Sequence, residues 1–141
     1  MGFVLGHGFK NLSKLVHEEW SDYHPEIKIR SDITPFKTES RLSRREETAL
    51  CRLRTGITML TDIGPRMNGV WPQICEACDA ILTIDHILIN CLEYIHQRLP
   101  LVEYFRNTRQ EMTRYSLLQD NEDVITLLMD YLRNTNLLKY I

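Results

Sequence analysis

Cys75, Cys78, His86 and Cys91 fall within one stretch, CEACDAILTIDHILINC, at the spacing C-x2-C-x7-H-x4-C. Thiolate sulfur and imidazole nitrogen are the donors that tetrahedral zinc prefers. A C-x-x-C turn points two sulfurs at one spot, and a histidine and a cysteine on a following helical turn can supply the other two donors. Four protein ligands leave no open position for water or substrate, so a centre of this kind holds a fold and performs no chemistry. The expectation is a structural Zn2+ on these four residues. One alternative is a set of buried free cysteines beside a surface histidine, because free Cys often acts as a small hydrophobe. Another is a redox C-x-x-C, which lacks the surrounding βαβ pattern such a motif calls for. Cys51 and His96 are spare donors that could substitute for one of the four. Glu76, Asp79, Asp85 and Glu93 surround the ligands, making this element a poor partner for phosphate.

A second group could bind rather than react. Between Lys28 and Arg54 there are eight Lys and Arg against four Asp and Glu, in a chain of net charge -2. Arg41, Arg44, Arg45, Arg52 and Arg54 cluster at its end. A helical row of arginines opposite an apolar face could follow the phosphate backbone of RNA or DNA. The plainer alternative is a solvated face, with Glu46 and Glu47 pairing to arginines one turn away.

The elements that must position these residues are mostly helical. Phe9, Leu12, Leu15, Val16 and Trp20 recur at helical spacing, which predicts a helix over 9–22, and Pro25 and Pro35 mark an extended connector after it. Ser43 followed by Glu46 is a capping box and Gly56 a natural stop, so a helix runs between them. Ala49, Leu50 and Leu53 form its apolar side, with Arg41, Arg45, Thr48 and Arg52 opposite. The following segment is loop-rich, with a short helical turn near Met59. TIDHILINC reads as a short helix bringing Cys91 about a turn and a half past His86. EYIHQRLPLVEYFRN is helical in pattern, with Pro100 forcing a kink or a fresh start. A closing helix over 121–138 shows Val124, Leu127, Leu128, Tyr131 and Leu132 on one face, and Glu122 and Asp123 at its positive end.

The fold class expected is therefore mainly α: a small single domain over 1–141 with N-terminal helices and a basic stretch (9–56), a central CCHC zinc-stapled element (75–91) and C-terminal helices (92–141). With 43% hydrophobic and 26% charged residues, the composition is that of an ordinary globular protein. No signal peptide and no span long enough for a membrane stands out, which predicts an intracellular chain, nuclear or cytoplasmic. There is no Gly-rich phosphate loop, no G-x-S-x-G and no H-E-x-x-H, so no enzyme and no small-molecule substrate are expected. Trp20 and Trp71 are expected as core anchors, and His7, His17 and His24 at the surface.

Two runs together, RREETALCRLRTGITMLTD and the CCHC stretch, resemble the carboxy-terminal tail of the reverse-transcriptase polyprotein of jockey-like non-LTR retrotransposons. In that tail an arginine-rich helix of the form R-R-x-E-x-x-L-x-R-L-R-x-G-H-T-x-L-T-H precedes a CCHC cluster. VHEEWSDY, IRSDITPF and LMDYLRNTNLLKYI resemble its flanks, so the likeness spans roughly 9–141. The resemblance implies zinc at Cys75, Cys78, His86 and Cys91. It places Arg52, Arg54 and Gly56 in the signature helix and implies nucleic-acid contact by that helix. Ile57 and Asp62 stand where the family usually has histidine. A chain of 141 residues has no room for the family's polymerase, endonuclease or an intact RNase H domain. The expected function is a non-catalytic, zinc-stapled nucleic-acid-binding module derived from such a polyprotein. The alternatives are a protein-interaction module, docking the acidic cluster and an apolar last helix on a partner such as the parent polyprotein, or a genomic remnant without function.

Overall fold

A computed structural model of the chain describes residues 41–141. The helix expected over 9–22, the proline-bearing connector, Trp20 and His7, His17 and His24 lie outside the described residues.

Helix α1 (Arg44–Thr55) begins and ends as its sequence dictates. Ser43 Oγ accepts the Glu46 N–H at 3.4 Å, and the Glu46 carboxylate accepts the Ser43 N–H at 2.8 Å, so two otherwise orphaned donors are satisfied reciprocally. At the far end Gly56 takes φ 80°, and its N–H donates to the Arg52 carbonyl at 3.0 Å. A side chain there would be strained in φ, and its Cβ would stand 3.0 Å from Arg114 Nη2. The helix buries Glu46, Ala49, Leu50 and Leu53.

Past α1 the chain makes a π-helical turn, Met59–Ile63, then a short helix α2 (Gly64–Met67). Next come two short antiparallel strands, β1 (Ile74–Cys75) and β2 (Ala80–Ile81), with Ile74 opposite Ile81 and Cys75 opposite Ala80. A second π-helical turn, His86–Asn90, leads to helix α3 (Ile95–Asn107). Pro100 neither restarts nor ends α3. The helix runs through it, forgoing the hydrogen bond a residue with an N–H would make there, while Leu101 and Phe105 are buried on either side of the next turn.

Helix α4 (Arg114–Leu117) is a single turn under a second reciprocal capping box, between Thr113 and Ser116, which the sequence reading did not anticipate. Helix α5 (Glu122–Asn134) starts at Asn121, whose Oδ1 accepts the N–H groups of Asp123 and Val124 at 3.1 and 3.2 Å. It stops short of the expected 138. Asn136 turns left-handed at φ 60°, and a 3-10 turn, Leu137–Lys139, follows.

Helix α5 is the hub of the core. It packs against α3, α4 and the terminal 3-10 turn, and that turn also rests on α1. Its buried face comprises Val124, Ile125, Leu128, Met129, Tyr131 and Leu132, wider than expected by Ile125 and Met129, with Leu127 only partly buried. Leu128 is fully enclosed. Truncating a leucine in such a place costs about 2–5 kcal/mol, a large share of a small domain's stability. The described residues are mostly helical, with one two-stranded sheet among them. No described helix is long and apolar enough to cross a membrane.

Candidate metal centre and arginine face

The hairpin and the second π-helical turn bring the four expected ligands together. One ligand atom from each of Cys75, Cys78, His86 and Cys91 lies within 4.8 Å of the others. Cys75 ends β1, and the loop that follows folds back on it. The Cys78 and Asp79 N–H groups both donate to the Cys75 carbonyl, at 3.3 and 2.9 Å, and Asp79 takes φ 50° to turn the chain into β2. The sulfurs of Cys75 and Cys91 are 3.8 Å apart, and those of Cys78 and Cys91 3.9 Å. Thiolates about 2.3 Å from one zinc ion at tetrahedral corners stand about 3.8 Å from each other.

The spacing between His86 and Cys91 explains the unusual turn. In an α-helix, residues five apart are about 140° out of line. Here the Cys91 N–H donates to the His86 carbonyl at 2.6 Å, closing an i to i+5 ring. One wide turn therefore replaces the expected turn and a half and puts both ligands on one side. Thr83 Oγ1 accepts the His86 N–H at 3.0 Å and steadies the entry.

The chemistry of the donor set fits a cation. His86 is buried, and its Nε2 has no hydrogen-bond partner. A buried imidazole nitrogen without a partner loses its hydration and gains nothing in return, unless a metal takes the lone pair. The Leu92 N–H donates to Cys78 Sγ at 3.3 Å, and this bond leads the effects that pull the Cys78 thiol below its ordinary value of 9.0. Burial pushes the Cys91 thiol up to about 11 when no cation is near.

Two residues that sequence reasoning missed hold the second turn from outside. Arg98, buried on α3, donates through Nη2 to the carbonyls of Cys91 at 2.9 Å and Ile87 at 3.3 Å. The Tyr131 hydroxyl on α5 donates to the Ile87 carbonyl at 2.6 Å, and burial pushes its pKa up to about 12, so it remains a donor. Nothing in the sequence sets Arg98 apart from Arg106, the other arginine of α3, as the buried one. Cys51 and His96, the possible substitute ligands, are both exposed and outside the cluster. Glu76, Asp79, Asp85 and Glu93 are exposed around it.

The five arginines divide. Arg41, Arg44 and Arg45 are exposed, and Arg52 is partly covered, its Nη1 donating to the Ile141 carbonyl at 2.8 Å. Arg54 is turned inward. Its Nε donates to the Leu118 carbonyl at 2.9 Å, its Nη2 pairs with Asp120 at 3.3 Å, and its side chain is 10% exposed. It joins α1 to the loop between α4 and α5. At about 100° per residue Arg54 lies roughly 180° around the helix from Arg45, so the wheel already separated them. The local pairing of Glu46 and Glu47 with these arginines is also absent among the described residues. Glu46 serves the cap and pairs with Arg133 of α5 instead.

Two further expectations are corrected. Trp71 is no core anchor: it is half-exposed, with the Arg66 guanidinium 4.0 Å from its ring centroid. The last helix offers no open apolar face, because α3, α4 and the terminal turn cover it. Of the two residues that stand where the family usually has histidine, Ile57 is half-exposed and Asp62 pairs with Arg66, and neither belongs to the four-donor cluster.

No family model matches this sequence, and no curated protein or solved structure matches it significantly.

Proposed function

We propose that the chain is a non-catalytic nucleic-acid-binding module whose fold is stapled by zinc at Cys75, Cys78, His86 and Cys91. The observation that carries the metal half is the closed set of four donors around a buried, unpartnered His86 Nε2. Three thiolates and one imidazole suit zinc above harder cations, and the set leaves no position for substrate. The binding half is supported by Arg41, Arg44 and Arg45, which are exposed and have no ion pair among the described residues, with Arg52 beside them held by the Ile141 oxygen. An acidic surround keeps phosphate away from the metal element itself. The paired motifs of α1 and the CCHC stretch are the ground for deriving the module from the tail of a jockey-like retrotransposon polyprotein.

Native mass spectrometry with and without a strong chelator tests the staple. One bound zinc, lost together with the helical circular dichroism, is the expected result. A stably folded chain that never binds zinc would overturn it. Binding of RNA or DNA that weakens steeply with salt tests the second half, and an affinity indifferent to salt would sink it.

A second reading, docking on a protein, is favoured by a different feature from the one expected. Met67, Val70, Trp71, Ile74 and Ile81 are exposed between α2 and β2. Self-association or dye binding abolished by Trp71→Ser and Ile81→Ser would favour it.

A further inference from the structure

We propose that the nucleic acid accepted by this module is single-stranded, and that Lys139 and Tyr140 of the terminal turn form part of its seat. The inference rests on the nucleic-acid reading above and names the substrate form.

Two grooves adjoin at Lys139. The first, of about 460 Å³, lies between α1 and the terminal turn, and Arg44, Arg45, Arg52 and Lys139 line it. No Asp or Glu side chain lines this groove, and none of its four cations pairs with one among the described residues; Arg52 is already bonded to the Ile141 oxygen, which leaves Arg44, Arg45 and Lys139 for phosphate. Lys139 sits 85 or more positions after these arginines, so only the fold brings it to them. The second groove, of about 690 Å³, lies on the other side of Lys139. Its walls include Met59, Pro65, Val70, Ile74 and Tyr140, with Glu76 as the one carboxylate. Tyr140 is half-exposed, and Lys139 Nζ stands 4.8 Å from its ring centroid.

The chemistry of the pair selects the strand. A duplex shows phosphates outside and keeps its bases stacked inside, so it would fill the cationic groove and leave the apolar one exposed to water. A single strand carries phosphates along one side and free base faces along the other. Such strands are held by a basic groove that follows the backbone and by aromatic or apolar surfaces on which bases lie. Glu76 disfavours phosphate in the second groove and is tolerated by a base edge, which can donate to it. The phosphates therefore lie along α1, and the bases turn across Tyr140 toward Val70 and Ile74.

The test is fluorescence anisotropy of the full chain with a labelled single strand of about 12 nucleotides, and with the blunt duplex of the same sequence. The single strand is expected to bind about tenfold more tightly. Neutralising about three phosphates, by Arg44, Arg45 and Lys139, gives a slope of log affinity against log salt near -2 for a single strand. Lys139→Gln should reduce that slope by about 0.7, whereas Arg106→Gln, which removes a charge on α3 outside both grooves, should leave it unchanged. Tyr140→Ala should weaken the single strand at least about fivefold with the slope unaltered, as the loss of one stacked base predicts. Equal or tighter binding of the duplex would overturn the inference while leaving the nucleic-acid reading standing. So would Lys139 and Tyr140 variants that bind like the parent. Failure of both probes to bind at low salt would remove the nucleic-acid reading itself.

Discussion

Among the described residues a π-helical turn occurs twice, at Met59–Ile63 and at His86–Asn90, and the two differ in what the turn presents. Each is entered through a threonine: Thr58 Oγ1 accepts the Thr61 N–H at 3.0 Å, and Thr83 Oγ1 accepts the His86 N–H at 3.0 Å. Each closes an i to i+5 ring, from Gly64 to the Met59 carbonyl in the first and from Cys91 to that of His86 in the second. In the first turn the closing residue must be small, since a Cβ on Gly64 would lie 2.5 Å from the Met59 oxygen. In the second it carries a thiol into the ligand cluster. One backbone device thus serves close packing in one place and ligand alignment in the other, and only side-chain chemistry tells them apart.

The comparison breaks most visibly at Cys91. Cys91→Ser should abolish zinc retention and with it the cooperative fold, because structural zinc contributes about 10–16 kcal/mol in small modules, more than such a domain's whole stability. Circular dichroism with metal titration reads this, and a variant that stays folded with zinc bound would refute the staple. At the matching residue of the first turn, Gly64→Ala should cost about 1–3 kcal/mol through the clash with Met59, with zinc stoichiometry unchanged. Urea unfolding in excess zinc gives the figure.

The entry threonines sharpen the contrast at smaller amplitude. Thr58→Val and Thr83→Val should each lower stability by about 0.5–2 kcal/mol. Only Thr83→Val should also weaken zinc in a competition assay with a chromogenic chelator. Equal zinc affinities in the two variants would show that the entry bond does not orient His86.

A pH series should act on the second turn, where protons compete with zinc for the ligands as pH falls, and separately on α1. Burial pushes the Glu46 pKa up, but the Ser43 N–H and hydroxyl and Arg133 outweigh it, and the net direction is down from 4.5. A carboxylate depressed in the folded state stabilises fully above its unfolded value, and that stability is lost as pH falls through the folded one. Thermal unfolding of parent and Glu46→Gln should therefore diverge below about pH 4.5, the parent losing more than the variant on top of the loss both suffer as zinc leaves. The magnitude is the smallest of the set, and parallel profiles of parent and Glu46→Gln there would show that the pair with Arg133 contributes nothing.

Much of this was legible in the sequence. Ser43, Glu46 and Gly56 carry local signals, and they bound α1 where the sequence reading did. The four metal ligands were legible because their types are rare and their spacing is tight. The tertiary consequences were not. Nothing local distinguishes Arg54, which anchors the α4–α5 loop, from Arg45, which faces solvent, except their places on the helical wheel. Trp71 reads as core by type, yet sits beside a loop with no helix to cover it. The π-helical turn was hidden in the four-residue gap between His86 and Cys91, which an α-helical period cannot align. Lys139 joins the arginine groove only through the path of the whole chain.

Arg98 has a consequence for how the molecule would come apart. The residue is 5% exposed, and its guanidinium has no carboxylate partner among the described residues. Three thiolates and a neutral imidazole around a divalent cation sum to one negative charge. With zinc bound as proposed, Arg98, bonded to the Cys91 carbonyl, would be the counter-ion of the centre. Removing the metal and reprotonating the thiols would leave a lone positive charge sealed between α3 and α5, an arrangement no apolar interior sustains. Demetallation would therefore spread beyond the hairpin: the stranded cation must reach water, and α3 would have to loosen from α5 to let it out.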